Sequence, residues 1–257
     1  MASIAVVLMG IIIEGYALLE SLWSLIFGML VVFFAVAGGN ALNDYYDRDV
    51  DLINHPERPI PSGKIRAKDA LIFGILLFLL ALIFAGLINL WTFIITLLAE
   101  IAMVAYEAKL KNMGFVGNVT ISVLVALLFV FGGVIFNNIL RISIFALMAF
   151  ASNLGREVVK DIEDMEGDIN RVTLPKKYGK KYAGIIASIF FLLAVLLSPL
   201  PYFCLGFSIY YFLTVLISDA IFIYVAIIHF KNPTKGQKNA KMAMICGLLA
   251  YLIGGLT

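Results

Sequence analysis

The sequence predicts an all-α membrane protein, with nine transmembrane helices around a central cavity. Three observations lead there. The 257 residues are 62% hydrophobic and only 14% charged, with a mean hydropathy of +1.01, far more apolar than a soluble core requires. Residues 70–99 and 182–218 carry no charge, and each run is long enough to continue into a pair of spans of about 20 residues. Finally, the basic residues are confined to alternate loops between the apolar runs.

The helices are expected at 1–19, 22–46, 70–88, 91–109, 118–137, 141–163, 182–198, 205–230 and 239–257. Glu14 and Gly15 interrupt the first. It has neither a basic lead-in nor a small-residue cleavage site, so it reads as a span and not a cleavable signal. The second ends in the acidic run NDYYDRDVD. The third and fourth turn near Asn89, and the seventh and eighth turn at Ser198-Pro199-Leu200-Pro201, where proline cannot continue a helix. The loops after helices two, four, six and eight hold 5, 2, 7 and 4 Lys/Arg if Arg156 and Lys160 are counted with the third, which is 18 of 19; only Arg141 falls on the other side. The positive-inside rule makes those four loops cytoplasmic. The N-terminus is then inside and the C-terminus outside a multi-pass cell-membrane protein.

Composition also excludes roles. A net charge of +2 offers no field for a nucleic-acid partner. Cys204 and Cys246 lie in apolar segments without metal-like spacing and read as packing residues.

Two acidic clusters stand where apolar runs meet basic loops, Asn43–Asp51 and Asp161–Asp168. With Glu157 they hold ten of the seventeen acids. Carboxylates crowded beside a bilayer need cations. Asn43, Asp47 and Asp51 recur at i, i+4 and i+8, one helical stripe drifting about 40° per step, and Asp44 borders it. Glu157, Asp161, Asp164 and Asp168 share a face of the second cluster, while Glu163 and Glu166 turn away. Oxygen donors without His or Cys suit Mg²⁺, which takes one or two carboxylates plus phosphate oxygens. Two facing clusters suit two Mg²⁺ clamping a diphosphate, with Asn43, Asp44, Asp47, Asp51, Asp161, Asp164 and Asp168 as candidate ligands. The competing account is solvated helix ends.

Candidate phosphate contacts are Arg48, Arg58, Lys64, Tyr106, Lys109, Lys111, Arg156 and Lys160, since Arg and Lys form charge-assisted bonds to phosphate. Asp47, Asp161 and Lys109 are the expected catalytic side chains. Asp47–Asp51 and Asp164–Asp168 lie 117 residues apart, and Gly63-Lys64 and Gly179-Lys180 lie 116 apart. Helices one to four and five to eight could therefore be parallel repeats within a single domain spanning 1–257.

NDYYDRDVD resembles the NDxxDxxxD motif of the UbiA superfamily of intramembrane prenyltransferases, and ERPIPSGK resembles the RPxPSG stretch that follows it there. KDIEDMEGD with TLPKKYG resembles that family's second Asp motif and its trailing T-L-P…G. The wording REVVKDIEDMEGD is most similar to the archaeal digeranylgeranylglyceryl phosphate synthases. Members usually carry a polar Arg-Pro segment before helix one, whereas this sequence opens on apolar residues. The resemblance implies a lipid-open central cavity with Mg²⁺ between the Asp motifs. It implies transfer of a prenyl group, expected to be geranylgeranyl, from its diphosphate to a lipophilic acceptor. Geranylgeranylglyceryl phosphate is the expected acceptor, and a quinone- or chlorophyll-type aromatic acceptor is the alternative. In such a reaction the allylic C–O bond ionises, and an apolar cavity keeps water from the cation. Tyr45, Tyr46, Phe115, Phe129 and Tyr178 are candidate aromatic faces for it.

Glu100 and Asp219 are acids inside apolar helices, functional by default or held by interhelical hydrogen bonds. Other classes fit less well. A divalent-cation transporter wants acids along a path at mid-membrane. A CDP-alcohol phosphatidyltransferase needs one contiguous Asp motif with Gly and Ala-Arg, and an intramembrane aspartyl protease needs G-x-G-D.

Overall fold

The computed structural model describes residues 2–15, 17, 21–166 and 172–257. Among these the chain is helical, without strands. The helices are α1 (Ala2–Glu14), α2 (Leu22–Asn54), α3 (Ala67–Ile88), α4 (Leu90–Ala108), α5 (Phe115–Ile135), α6 (Ile139–Glu163), α7 (Leu174–Tyr178), α8 (Lys180–Leu197), α9 (Leu200–Leu205), α10 (Ile209–Ile228) and α11 (Pro233–Leu256). Taking α8 and α9 together, eight spans are long and apolar enough to cross a bilayer. Short turns α7 and α9 are added to the expected nine.

Local chemistry sets the boundaries. Asn89 caps α4 reciprocally: its side chain accepts from Thr92 N at 2.8 Å while Thr92 Oγ accepts from Asn89 N at 3.2 Å, a capping box that satisfies two orphan donors. The Asn138 and Asn232 side chains accept from Arg141 N and Lys235 N, so asparagine starts three of the spans. Pro233 follows Asn232 at the first helical position, where a missing N–H is harmless.

Two helices depart from expectation. The α1 helix has 13 residues, about 20 Å at 1.5 Å per residue and short of the roughly 30 Å hydrocarbon core. It stops at Glu14, and Gly15 follows at φ 57°. The α2 helix runs eight residues beyond its expected end at 46, carrying the whole first acidic cluster in 33 helical residues. Hydropathy falls at Asn43, but the helix ladder is internal and continues once the chain reaches water.

The core centres on α6, whose inner face packs on α5, α8 and α11. One cluster joins Met9 and Ile12 of α1 to Phe145, Phe207, Tyr211 and Tyr251. A second joins Leu154 and Val158 to Phe191, Phe222 and Val225. A third ties Val6 and Val31 to Ala81 and Phe131. Outward faces remain apolar: Phe73, Ile83, Leu98, Leu196 and Ile227 are all exposed, as lipid contact requires. Arg141, the lone basic residue at its end of the bundle among the described residues, donates from Nε to the Ile12 carbonyl at 2.9 Å and stacks over the Phe207 ring. It satisfies a carbonyl that the end of α1 leaves open.

Candidate active site

Both acidic motifs occupy helix C-termini at the end of the bundle that bears the basic loops. Helix dipoles place partial negative charge there, and α2 has no basic residue in its last turn. The carboxylates thus need cations from elsewhere in the fold.

At the first motif, Asn43 Nδ2 donates to Asp47 Oδ2 at 3.0 Å, one turn along α2, and to Glu107 Oε2 of α4 at 2.9 Å. Lys111, in the 3₁₀ turn Leu110–Asn112 after α4, donates to Asp47 Oδ1 and to Glu107 Oε2, the latter at 2.9 Å. Two donors and two carboxylates therefore close a ring. Burial favours the neutral amine of Lys111, but hydrogen bonds and charge from Asp47 and Glu107 outweigh it and raise its pKa. Asp51 is buried and takes Arg58 Nη1 at 2.7 Å. That bond, with the charges of Asp51, Asp44 and Asp47, holds Arg58 above its ordinary pKa.

At the second motif, Asp161 is 4% exposed and accepts from Asn118 Nδ2 of α5 at 2.7 Å. Asn118 is itself fixed: its carbonyl accepts from Ser122 Oγ at 2.7 Å, and Ser122 Oγ accepts from Asn153 Nδ2 at 3.1 Å. Asp164 is half-buried and opens a 3₁₀ turn, Asp164–Glu166. The candidate ligand Asp168 lies outside the described residues, as does the Glu166 side chain. Glu163, expected to turn away, is half-buried, and its Oε2 finds no hydrogen-bond partner among the described residues.

The α4–α5 connection joins the two motifs. Lys111 reaches one and Asn118, seven residues later, reaches the other. Gly114 there has φ 61°, and a Cβ on it would lie 2.0 Å from the Val172 carbonyl oxygen; one on Gly117 would lie 2.8 Å from Leu110 O. Only glycine permits that approach.

A groove runs from this polar end into the membrane region. Its mouth, about 200 Å³, is lined by Asn43, Tyr106 and Glu107. Val36, Met103, Ile121 and Leu124 also line an adjoining apolar cavity of about 280 Å³, which continues between α2, α4 and α5 to Val31, Ile95 and Phe131.

Among the basic candidates, Arg58 and Lys111 meet the first motif. Lys111, not the expected Lys109, is the lysine beside Asp47; Lys109 is the exposed C-cap of α4. Arg48 donates to Tyr45 O at 2.8 Å and covers that ring. Arg156 pairs with neighbouring Glu157, and Lys64 and Lys160 are exposed. Of the aromatic candidates, Phe129 lines a second cavity beside Tyr251, which shares Val125 and Leu128 with the groove wall. Asp219 accepts from Ser198 Oγ at 2.6 Å, an interhelical contact. Glu100 is buried, and its Oε1 has no partner among the described residues.

Two residues the sequence did not single out, Glu107 and Asn118, complete the motifs. Glu107 stands four residues before Lys111 at ion-pair spacing, a readable signal. Asn118 gives none, because its partner is 43 residues away.

The residues fit a divalent metal. The donors are oxygens, and an ammonium already sits between Asp47 and Glu107, where charge balance demands a cation. Among the described residues no three acids form a protein-only cage, which suits Mg²⁺ because substrate phosphate and water complete its shell.

Comparison with known proteins agrees with this architecture. The model of the UbiA prenyltransferase family matches residues 3–250. A digeranylgeranylglyceryl phosphate synthase from Methanosphaera stadtmanae is 41% identical over 100% of this chain and 95% of its own. A solved structure described as digeranylgeranylglyceryl phosphate synthase in membranes has a TM-score of 0.88 and 36% identity, over 99% of this chain and 93% of that one. A UbiA homologue from Archaeoglobus fulgidus bound to GPP and Mg²⁺ shares the fold at TM-score 0.62 and 19% identity, over 97% and 94% of the two chains.

Proposed function

This chain belongs to the UbiA prenyltransferase family, and from that premise we propose that it transfers a geranylgeranyl group from its diphosphate to geranylgeranylglyceryl phosphate, giving digeranylgeranylglyceryl phosphate. One observation carries this reading: a carboxylate-rich head opens directly into an apolar groove. Such a site suits an amphiphile with a charged diphosphate and a long hydrocarbon tail. The acceptor is taken from the relatives that are named for that product.

Asn43, Asp44, Asp47 and Asp51 on one side, with Asp161, Asp164 and Asp168 on the other, would hold Mg²⁺, and we propose two ions. Bound there, Mg²⁺ would neutralise charge on the leaving diphosphate. The residues supply the rest. Lys111 and Arg58 are fixed cations at the head that take up developing negative charge. Asn118 keeps Asp161 oriented. The allylic C–O bond breaks, the diphosphate leaves with the electron pair, and the groove between α2, α4 and α5 excludes water from the cationic carbon. The acceptor hydroxyl oxygen bonds to that carbon and releases its proton, forming the ether. Lys64 and Lys160, exposed at the same end, are suited to the acceptor phosphate. We place this end in the cytoplasm, from the confinement of 18 of 19 Lys/Arg to its loops. We also read the chain as one domain, with the α2 and α6 motifs in related halves.

The test offers purified protein Mg²⁺ and geranylgeranyl diphosphate with geranylgeranylglyceryl phosphate beside quinone precursors, and identifies the product by mass. Prenylation of the glyceryl phosphate supports the assignment; prenylation of aromatic acceptors alone overturns it. Asp47→Ala and Asp161→Ala should each lower kcat/KM by about 10²-fold or more, the scale of losing a group that stabilises transition-state charge.

A further inference from the structure

We propose that Glu107 is a positioning residue that holds Lys111 clear of Asp47 when metal enters, so that lysine and metal do not compete for one carboxylate. The proposal rests on the function assigned above to the Asp47 head.

The ring geometry carries it. Lys111 Nζ is shared between two carboxylates on different helices, Asp47 of α2 and Glu107 of α4. Asn43 Nδ2 is shared between the same two. Without Glu107, Lys111 would lose one carboxylate anchor and lean on Asp47, and a divalent cation reaching Asp47 would have to displace it. With Glu107 the three side chains carry one net negative charge, and Lys111 keeps an anchor 2.9 Å away when Asp47 turns to the metal. Glu107 and Lys111 lie one helical turn apart, so that anchor follows from local spacing. Their side chains are only 12% and 16% exposed, and in that setting solvent cannot substitute for a lost partner. Glu107 also lines the groove mouth. A lysine tethered to it keeps its ammonium at the head, where the leaving diphosphate would sit. Asn43 does the parallel service: released from one carboxylate, its amide keeps the other.

Glu107→Gln keeps the size and removes the charge, so the hold of Lys111 on Asp47 strengthens. The expected result is a rise of about tenfold in the Mg²⁺ concentration for half-maximal rate, at saturating donor. Mn²⁺ binding in the presence of inorganic diphosphate, read by electron paramagnetic resonance, should weaken by a similar factor, and this readout is independent of turnover. Lys111→Met in the Glu107→Gln background removes the competitor. Metal half-saturation should then return to within about threefold of wild type, while the KM for donor rises with the loss of the Lys111 cation. Thermal unfolding of each variant in detergent separates folding loss from metal loss. Glu107→Asp, which keeps the charge, should lie between wild type and Glu107→Gln. An unchanged metal midpoint in Glu107→Gln would overturn the proposal, as would no recovery in the double variant or a lowered unfolding temperature with metal binding intact. If wild-type protein lacks Mg²⁺-dependent prenyl transfer, the proposed function itself fails, and the Mn²⁺ titration still judges the ring.

Discussion

Asp161 shows how one residue is tuned by others. It is buried at the C-terminal end of α6, where the dipole disfavours an anion, and Asn118 donates to it at 2.7 Å. Removing that donor takes a buried hydrogen bond from Asp161, at about 1–3 kcal/mol. Asn118→Ala should lower the unfolding free energy by that amount and kcat/KM by at least tenfold, measured by denaturant titration in detergent and by product formation. If neither moves, Asn118 does not orient Asp161. Asn43, Asp47 and Asp51 were legible in sequence because i, i+4 spacing is a property of one helix. Asn118 was not, because its partner lies 43 residues away and only packing brings them together; Glu107 showed its spacing to Lys111, but its bond to Asn43, 64 residues away, was hidden in the same way. On paper Lys109 stood ahead of Lys111 as the catalytic lysine. The turn after α4 decides between them by winding Leu110–Asn112 into a 3₁₀ segment.

That turn also governs behaviour at the scale of elements. The stretch from Lys109 to Asn118 touches Asp47 through Lys111 and Asp161 through Asn118. Gly114 sets its path with φ 61° against the backbone of Val172. Gly114→Ala adds left-handed strain of about 1–2 kcal/mol to a direct clash with a carbonyl. The comparison is Gly63→Ala in the α2–α3 loop, where φ is 75° and nothing lies within 4 Å. Circular-dichroism melting should show Gly114→Ala losing several times more stability than Gly63→Ala, with activity lost only in the former. The spans themselves were legible from hydropathy, as was the turn near Asn89. The ends of α1 and α2 were not. Hydropathy reports where a chain leaves lipid, whereas a helix ends where its hydrogen-bond ladder ends. For α1 that is earlier, at Glu14 before Gly15, and for α2 it is later, at Asn54.

Across the whole molecule, the groove between α2, α4 and α5 links the charged head to a floor at Val31, Ile95 and Phe131. From Asn43 to Val31 is twelve residues of α2, about 18 Å at 1.5 Å per residue, so the depth suits several isoprene units. Ala99 stands partway down this wall. Ala99→Trp should block the lower half and shift the ratio of kcat/KM for geranyl over geranylgeranyl diphosphate by about tenfold or more toward the shorter donor, read in a competition assay. An unchanged ratio would place the tail elsewhere.

The overrun of α2 bears on how such a protein meets its substrates. Leu22–Leu42 alone spans about 32 Å, close to the hydrocarbon thickness of a bilayer. With that stretch in the hydrocarbon, the remaining turns, Asn43–Asn54, would stand at the height of the lipid phosphates. A head at that level and a groove below it match, layer for layer, the way an amphiphile already lies in its leaflet. The proposed donor and acceptor then arrive by lateral diffusion, without being lifted into water. The concentration that governs their encounter is a mole fraction among lipids, and inert lipid acts as the diluent.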